Sequence, residues 1–525
     1  MRVPYKQRYD SMRDGIVIDS AKAFAGWTLP QLMALADQDI AAEHQRYVVE
    51  RDYQEVGALL VNNLAAKLVQ LMFPMQRPFF NTTLPHQLMR RAQMDHDKTE
   101  IEANLARMTM DASQALVGNA SYAQLLLAAK HLIVTGNVLT YRDTKSHQTT
   151  AYGLAQFVGQ RDGRGEVQEI ILREHTYFEA LAPELQTELR QANPSKYGRP
   201  DPSGKRKRVE MFTRVVRTYS RTGAVIWRVS QEIDVIPVGE PAQYPEHLCP
   251  WQWITWNLIP GEHYGRGHVE DYSGGFAKLS DLSEAAALYG IEMTKIVHLV
   301  AKGQGTDIDA LNDAEHGEYV SGSNGSVEAY EAGDAGKLQA VRAEIISVSQ
   351  NLSRAFMYTG EVRDSERTTA YEIAQMQQEA EQTLGGTVAA LSQHWQTPLA
   401  HVLLTEIEPG ILAGLITKRV RLEVAAGWAA MARSVKVQLL LRAVSEIGAT
   451  METLLTFDDR IDRYKVLDMI YAGQGIDAQS LFKSPAQLAA EKRAKDAEAA
   501  AVDSVQQTQS LAERQDVINQ IQQGA

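Results

Sequence analysis

Cysteine is almost absent from the chain, which carries only Cys249 in 525 residues. One thiol excludes an intrachain disulfide and a cysteine-rich zinc site, and it is typical of a protein from a reducing compartment. The N-terminus also lacks an apolar leader, and no apolar run approaches the roughly 18 residues of a membrane helix. We therefore expect a cytosolic protein that is neither secreted nor membrane-spanning.

The chain also has fewer positive than negative charges. The chain has 53 Lys and Arg against 65 Asp and Glu, a formal net charge of -12. Proteins that grip nucleic acid usually have the opposite balance, because Lys and Arg neutralise the phosphates. This composition disfavours tight DNA binding, yet it suits a conduit along which DNA must slide, since an acidic wall repels phosphate.

Recognisable catalytic motifs are missing too. The nearest phosphate-loop candidate is Gly333 to Lys337, but its first glycine is too close to the lysine and Leu338 stands where Ser or Thr would bind magnesium. There is no G-x-S-x-G, H-E-x-x-H or G-x-G-x-x-G pattern. We predict that the protein is not an enzyme and needs no cofactor.

One cluster could bind a metal ion, because imidazoles and carboxylates crowd ten residues: Glu262, His263, His268, Glu270 and Asp271. The alternative is a solvated turn followed by a helix start, where acidic residues favour the positive end of the helix dipole. We favour the second interpretation and predict no metal site.

Two other patterns have a nucleic-acid interpretation. Trp251, Trp253 and Trp256 could stack on bases, although aromatics in a largely apolar run are more often core or subunit contacts. Residues 205–208, KRKR, form the one dense basic cluster, which is more often a solvated loop.

Hydrophobic periodicity divides the chain into helical and β-rich parts. Helical spacing marks residues 56–71, stopped at Phe73-Pro74, and 99–135, ended by Gly136-Asn137. A β-rich module follows, interrupted by an exposed loop at 190–208, with predicted strands at 138–141, 155–158, 167–172, 209–219 and 224–236. The predicted class is α+β, predominantly helical.

The strongest helical signal is a single stripe from Phe276 to Val300, which predicts a helix of roughly 40 to 50 Å over 267–300. Seven glycines then occupy residues 301–336. A second helix is predicted at 337–357, followed by a charged loop, a third helix from Thr369 towards Pro398, and helices around 434–449, 461–472 and 484–502.

Several stretches in this order resemble the head-to-tail connector (portal) family of short-tailed bacteriophages, the podoviruses. The most specific are HYGRG-x-VEDY-x-GGF-x-KLSDLSEA, which begins at His263, and ERTTAYEIAQMQQEAEQTLGG at 366–386. GALLVNNLAAKLVQLMFPMQRPFF at 57–80, VTGNVLTY at 134–141 and the stretch 157–174 also match. The matching stretches span about residues 20–450.

The resemblance implies a portal fold with wing, stem, clip and crown, assembled as a ring of twelve subunits. Its regions are then expected at 1–266 (wing), 267–300 (stem helix), 301–336 (clip), 337–357 (second stem helix), 358–368 (tunnel loop), 369–434 (wing return), 435–505 (crown) and 506–525 (flexible tail).

The resemblance also implies three sets of functional residues. The tunnel loop would present Arg363 and Arg367 to the DNA, although a surface loop with internal ion pairs is the alternative on sequence alone. The clip would dock tail proteins or terminase through Lys302, Asp307, Asp309, Glu315, Glu318 and Tyr319. The stem stripe would comprise Phe276, Leu279, Leu282, Tyr289, Met293 and Ile296.

The implied function is a channel for packaging and ejection of double-stranded DNA that also nucleates procapsid assembly. Expected partners are copies of itself, the terminase large subunit, tail adaptor and nozzle proteins, scaffolding and major capsid proteins, and internal core proteins, with no membrane. The expected location is the capsid vertex at the head-tail junction, after assembly in the host cytoplasm. The alternatives are a phage DNA-processing metalloenzyme and a tail adaptor ring without motor contact.

Overall fold

The computed structural model describes residues 3–34, 52–75, 78–83, 98–118, 121–198, 206–294, 296–300, 307–314, 319, 327–331, 335–358, 384, 386–410 and 421–424. The chain forms two compact units. Residues 1–95 and 107–428 make up the first unit, and 96–106 with 429–525 make up the second. The predicted crown and tail, 435–525, lie outside the described residues.

Helices and strands alternate in blocks along the chain. The helices are α1 (Tyr5–Met12), α2 (Gly15–Gly26), α3 (Val56–Met72), α4 (Lys98–Gly118), α5 (Ser121–Thr135), α6 (Pro183–Ala192), α7 (Pro194–Tyr197), α8 (His268–Asp271), α9 (Ser273–Met293), α10 (Ile308–Asp313), α11 (Ala335–Ala355) and α12 (Thr397–Ile407). The strands are β1 (Phe80–Thr83), β2 (Asn137–Asp143), β3 (Gln148–Tyr152), β4 (Phe157–Arg161), β5 (Val167–Tyr177), β6 (Arg208–Tyr219), β7 (Val225–Ile233), β8 (Ile236–Pro245), β9 (Trp251–Thr255), β10 (Ile296–Val300), β11 (Val327–Glu331) and β12 (Arg421–Val424). The mixed α+β class is thereby confirmed.

The larger sheet is an antiparallel meander in the order β4-β5-β6-β7-β8. Its register places Ile170 beside Val215 and Val215 beside Val229, so inward-facing β-branched residues form one apolar row. On one face of the sheet, Tyr9 of α1 packs with its ring centroid 5.7 Å from that of Phe212. Arg8 and Arg214 both pair with the buried Glu169, which satisfies a carboxylate that burial would otherwise penalise.

A smaller sheet, β3-β2-β9, contains the tryptophan-rich run. Trp251 stacks on Tyr141 at a centroid distance of 4.0 Å, and Trp253 lies edge-on to Phe157 at 5.7 Å. Because Trp251, Trp253 and Trp256 are all buried, their faces contact the protein's own core. This favours the core interpretation over a base-stacking platform.

Glycine permits a close backbone approach between the smaller sheet and α8. Gly136 adopts a φ of 74°, and a Cβ there would lie 2.5 Å from the backbone of residues 265–267. Across this contact the Asn137 side chain accepts a hydrogen bond from the Gly265 amide and donates one to the Gly265 carbonyl. The segment leading into α8 and α9 is thus fixed directly to the sheet.

A buried ion pair joins α12 to the same sheet. Arg142 donates from Nη2 to Glu406 Oε2 at 2.9 Å and from Nε to Glu406 Oε1 at 3.0 Å, and both side chains are almost fully buried. Two charges removed from water are stabilised only when they pair and hydrogen-bond with each other in this way.

None of the described helices combines the length and the apolar character that a membrane span requires.

Several predicted boundaries were wrong. The run at 99–135 is two helices, α4 and α5, and the loop predicted at 190–208 contains α7. The helical prediction for 267–300 fails beyond Met293, because Ile296–Val300 is a strand that pairs antiparallel with Val327–Glu331. In this strand Ile296, Val297 and Val300 are β-branched, a residue type that suits strands, so apolar spacing alone was misleading.

The helix predicted to end towards Pro398 instead passes through it. Residues 386–391 are helical, 392–396 form a π-helical turn, and α12 begins at Thr397 with Pro398 in its first turn. Proline is tolerated in a first turn because its missing amide has no helical partner there. The predicted start of this helix at Thr369 lies outside the described residues.

Candidate functional site

Helices α9 and α11 form an antiparallel pair, hereafter the helix pair. The N-terminal end of α9 and the C-terminal end of α11 meet at what we call the foot, where Gly275 lies against Leu352 and Phe276 against Phe356. At 1.5 Å per residue, each 21-residue helix is about 30 Å long. The predicted stem helix is therefore shorter than its sequence pattern indicated.

Aromatic rings hold the foot together. Phe356 is fully buried, and its ring centroid lies 4.7 Å from His268, 5.5 Å from Phe276 and 5.9 Å from Tyr272. Trp256 adds a further contact to His268 at 5.5 Å, which links the foot to the smaller sheet. Edge-to-face aromatic packing of this kind favours one fixed geometry.

His268 also makes a polar contact at the foot. Its Nε2 lies 3.1 Å from the Ala355 carbonyl oxygen, where the neutral ring donates a hydrogen bond to the last turn of α11. Burial lowers the pKa of His268. The ring is therefore neutral near pH 7, and its nitrogen is engaged by the backbone.

The C-terminal end of α11 has an unusual backbone conformation. Met357 adopts a φ of 53°, with its amide bonded to the Arg354 carbonyl and the Tyr358 amide bonded to the Ser353 carbonyl. These two bonds are those of a Schellman cap, in which glycine usually occupies the left-handed position. Lys67 of α3 donates a hydrogen bond to the Met357 carbonyl and so holds this end of the helix against the body.

Away from the foot, burial of the helix pair decreases sharply. Phe276, Leu279, Val348 and Leu352 near the foot are buried, whereas Leu288 and Ile291 farther along α9 are 52% and 60% exposed. Leu288 and Ile291 are about one turn apart and so expose aliphatic side chains on the same side of α9.

The predicted stem stripe is accordingly split by the structure. Phe276 and Leu279 are buried at the foot, and Leu282, Tyr289 and Met293 are half-buried along α9. Ile296 does not belong to the helix, because it begins strand β10.

The residues predicted for docking are described only in part. Asp307 caps α10 by accepting hydrogen bonds from the Asp309 and Ala310 amides at 3.1 and 3.2 Å. Tyr319 is fully exposed. Lys302, Glu315, Glu318, Arg363 and Arg367 lie outside the described residues.

The histidine and carboxylate cluster near residue 262 is organised around a guanidinium. Arg266 pairs with Glu262 at 2.8 Å and with Glu270 at 3.1 Å, so two of the proposed metal-binding carboxylates already neutralise a cation. His263 faces away towards β4, where its Nδ1 lies 3.1 Å from the Arg161 amide. Within the described ranges, no three His, Cys, Asp or Glu side chains are grouped so as to hold a metal ion.

Three residues at the foot were not identified from the sequence. Lys67 is the one charged residue of α3, and a lone charge in an apolar helix could have been recognised as a half-buried hydrogen-bond donor. Asp52, which accepts a hydrogen bond from Ser280 Oγ at 2.7 Å, and Met357 had no comparable signal. Their roles depend on segments that are far apart in the chain.

The sequence matches a known protein family and several known proteins. The model of the family described as "Bacteriophage head to tail connecting protein" matches residues 4–481. The portal protein of Pseudomonas phage phiKMV is 40% identical over 509 residues, which cover 97% of either chain. The portal protein of Enterobacteria phage SP6 is 29% identical over 410 residues, 76% of either chain.

Among solved structures, one titled "Neck of empty GTA particle computed with C6 symmetry" aligns with 79% of this chain and 90% of its own. Its sequence identity is 12% and the TM-score is 0.33, so the alignment supports no conclusion about shared structure.

Proposed function

The chain belongs to the bacteriophage head to tail connecting proteins and is a phage portal subunit, and from this premise we propose that twelve copies form a ring around a channel for double-stranded DNA. The helix pair is the stem of this ring, and its exposed half is covered by neighbouring subunits. The observation that carries the proposal is the contrast in burial along the pair, from Phe356 at 0% exposed to Ile291 at 60%.

In this proposal the remaining regions take the family's positions. Residues 1–266 with 369–434 form the wing, 301–336 the clip, 358–368 the tunnel loop and 435–505 the crown. Because the described strand Ile296–Val300 pairs with Val327–Glu331, the clip begins at β10 rather than after residue 300. The stem helix is then α9, which ends at Met293.

The proposed partners and location follow from the same premise. The ring occupies the head-tail junction of the virion, after nucleating procapsid assembly in the host cytoplasm. It docks the terminase large subunit during packaging and tail adaptor and nozzle proteins afterwards, and it contacts scaffolding, major capsid and internal core proteins. The subunit itself is structural, and ATP hydrolysis belongs to the terminase.

The ring is tested by native mass spectrometry and negative-stain imaging of the purified full chain. We expect closed rings of about a dozen subunits, and replacing Leu288 and Ile291 together with Gln should shift the population towards monomer. Ile16, which is 81% exposed on α2, provides the control, because Ile16→Gln should leave the rings unchanged. A wild-type chain that remains monomeric at every concentration would contradict the proposal.

The tunnel-loop assignment needs a separate experiment. Charge reversal of Arg363 and Arg367 to Glu should leave ring assembly intact and reduce DNA packaging or retention, because phosphates would then meet carboxylates. A normal phage yield from this double variant would remove the tunnel-loop role and leave the ring proposal standing.

A further inference from the structure

Strand β8 forms one edge of the five-stranded sheet in the described part of the chain. An edge strand exposes a row of backbone amides and carbonyls that can pair with a strand of another molecule. Three of the ten residues of β8 are prolines, Pro237, Pro241 and Pro245, and all three are exposed. Proline has no amide hydrogen, so each of them removes a donor from the strand.

The hairpin between β7 and β8 shows which way the backbone of the first proline points. Asp234 and Val235 have positive φ angles of 46° and 76°, as the two central residues of a type I′ turn require. Ile233 and Ile236 flank the turn as register partners, and the backbone groups of such a closing pair bond to each other. Because the bonding direction alternates along a strand, the backbone nitrogen of Pro237 points away from β7.

The same alternation fixes the far end of β8. Val229 of β7 is the register partner of Ala242. Val229 is four residues from the residue of β7 that closes the hairpin, so its backbone also faces β8, and that of Ala242 faces β7. The backbone groups of Gln243 and Pro245 therefore point outward, as those of Pro237 do. Of these three outward positions, Gln243 alone has an amide hydrogen.

The bulge at residues 239–241 disrupts this edge further. Gly239 has a φ of 65°, Glu240 is exposed and charged, and Pro241 lacks an amide hydrogen. A bulge bends the strand, and a charge at the edge resists burial beneath a second strand. A flat strand of another molecule therefore cannot pair along the whole of β8.

The opposite edge of the same sheet is closed in another way. On β4 the Gly159 amide donates to the Tyr264 hydroxyl at 3.2 Å, and the Arg161 amide donates to His263 Nδ1 at 3.1 Å. Two amides of strand β3, at the edge of the smaller sheet, are likewise capped by side chains of α5. Side chains of the same chain thus occupy outward amides on β3 and β4, whereas on β8 proline replaces two of the three outward amides.

We propose that β8 is an edge closed to strand addition, which keeps copies of this chain from joining through their five-stranded sheets. The partner that it excludes is an extended strand, in particular β8 of a second copy, because antiparallel pairing of two such edges needs outward amides on both. A neighbouring molecule can contact this edge mainly through side chains and backbone carbonyls. The inference concerns a surface outside the helix pair and does not depend on the proposed ring.

Restoring the missing amides in the full-length chain tests this proposal. Pro237→Thr and Pro245→Thr together supply two outward donors and β-prone side chains. Size-exclusion chromatography with light scattering should show a severalfold larger fraction of high-mass species for this double variant than for the wild type. In hydrogen exchange the Gln243 amide should gain protection in those species, because it would pair across the joined edges. A double variant that matches the wild type in both measurements would overturn the proposal.

A second substitution separates pairing at this edge from association elsewhere. Adding Gln243→Pro to the double variant removes an outward donor without a loss of bonding to β7, and the high-mass fraction should fall again. High-mass species that persist unchanged, or that form without protection of the Gln243 amide, would mean that another surface associates and would refute the closed edge.

The control makes the same substitution at two other exposed prolines. Pro183 and Pro194 each begin a helix, α6 and α7, where the backbone nitrogen has no helical partner. Pro183→Thr and Pro194→Thr should therefore leave the high-mass fraction at the wild-type value. An increase equal to that of the Pro237→Thr and Pro245→Thr variant would show that loss of proline as such, and not the edge, causes the association.

Discussion

The two ends of the helix pair differ in how much of their surface the subunit itself buries. At the foot, Phe356 and Phe276 are buried in an aromatic cluster, and Lys67 and His268 hold the last turn of α11. Beyond the foot, the same helix pair exposes Leu288 and Ile291. The foot is completed within one subunit, whereas the exposed half is the part that we propose neighbouring subunits cover.

The largest expected effect tests whether the foot is the stabilising end. Phe356→Ala removes a fully buried ring and should lower the free energy of unfolding by about 3 to 5 kcal/mol. Ile291→Ala in the exposed half should cost about 0.5 kcal/mol or less in the isolated subunit. Chemical denaturation of the monomeric fraction measures the free energy of unfolding of both variants. Equal losses would contradict the statement that the foot is the stabilising end.

A smaller effect is expected from the lysine at the foot. Lys67→Met keeps the aliphatic stem and removes the donor to the Met357 carbonyl, which should cost about 1 kcal/mol after allowance for its partial exposure. Lys278→Met removes an exposed ion pair and should change stability by about 0.5 kcal/mol or less. Thermal unfolding at matched concentration compares them, and a larger loss for Lys278→Met would contradict this ranking.

Acid should destabilise the foot more than the exposed half of the helix pair. The foot contains His268, whereas neither α9 nor α11 contains a histidine. Burial lowers the pKa of His268, so below pH of about 6.5 the unfolded chain binds a proton that the folded chain does not. Stability should therefore fall as the pH drops through this range towards the folded pKa. Denaturation at several pH values should show a shallower acid loss in His268→Gln, and identical slopes would exclude this contribution.

The smallest effect concerns the left-handed residue that ends α11. Met357→Gly should stabilise the subunit by about 0.5 kcal/mol, since relief of the positive φ outweighs the loss of a half-buried side chain. Met357→Val should destabilise it, because a β-branched residue is strained there. Opposite shifts in the thermal midpoint are expected, and equal shifts would mean that the backbone is not strained.

Much of the local structure was predictable from spacing. The helices at 56–72 and 335–355 and the proline stop after Phe73 follow the predicted positions closely. These features depend on residues within a few turns of each other, where apolar period and turn chemistry act directly. The family resemblance, carried by motifs in order along the chain, is confirmed by the family match.

Other features depended on contacts that the sequence order hides. The stripe continued through Ile296, but pairing with residues 327–331 makes that segment a strand. His263 was a candidate metal ligand, but its Nδ1 accepts a hydrogen bond from the Arg161 amide on a distant strand. In both cases a contact with a distant segment of the chain determined the structure or the role of the residue.

The sequence by itself determined the amphipathic helices, the β-rich middle, the absence of disulfides and the family. Only the tertiary structure decided where α9 ends, which half of the helix pair is buried, and that Lys278 pairs with Glu344 across the two helices. The physical reason is that period and propensity act over a few residues. Burial and charge pairing depend on which distant segments meet.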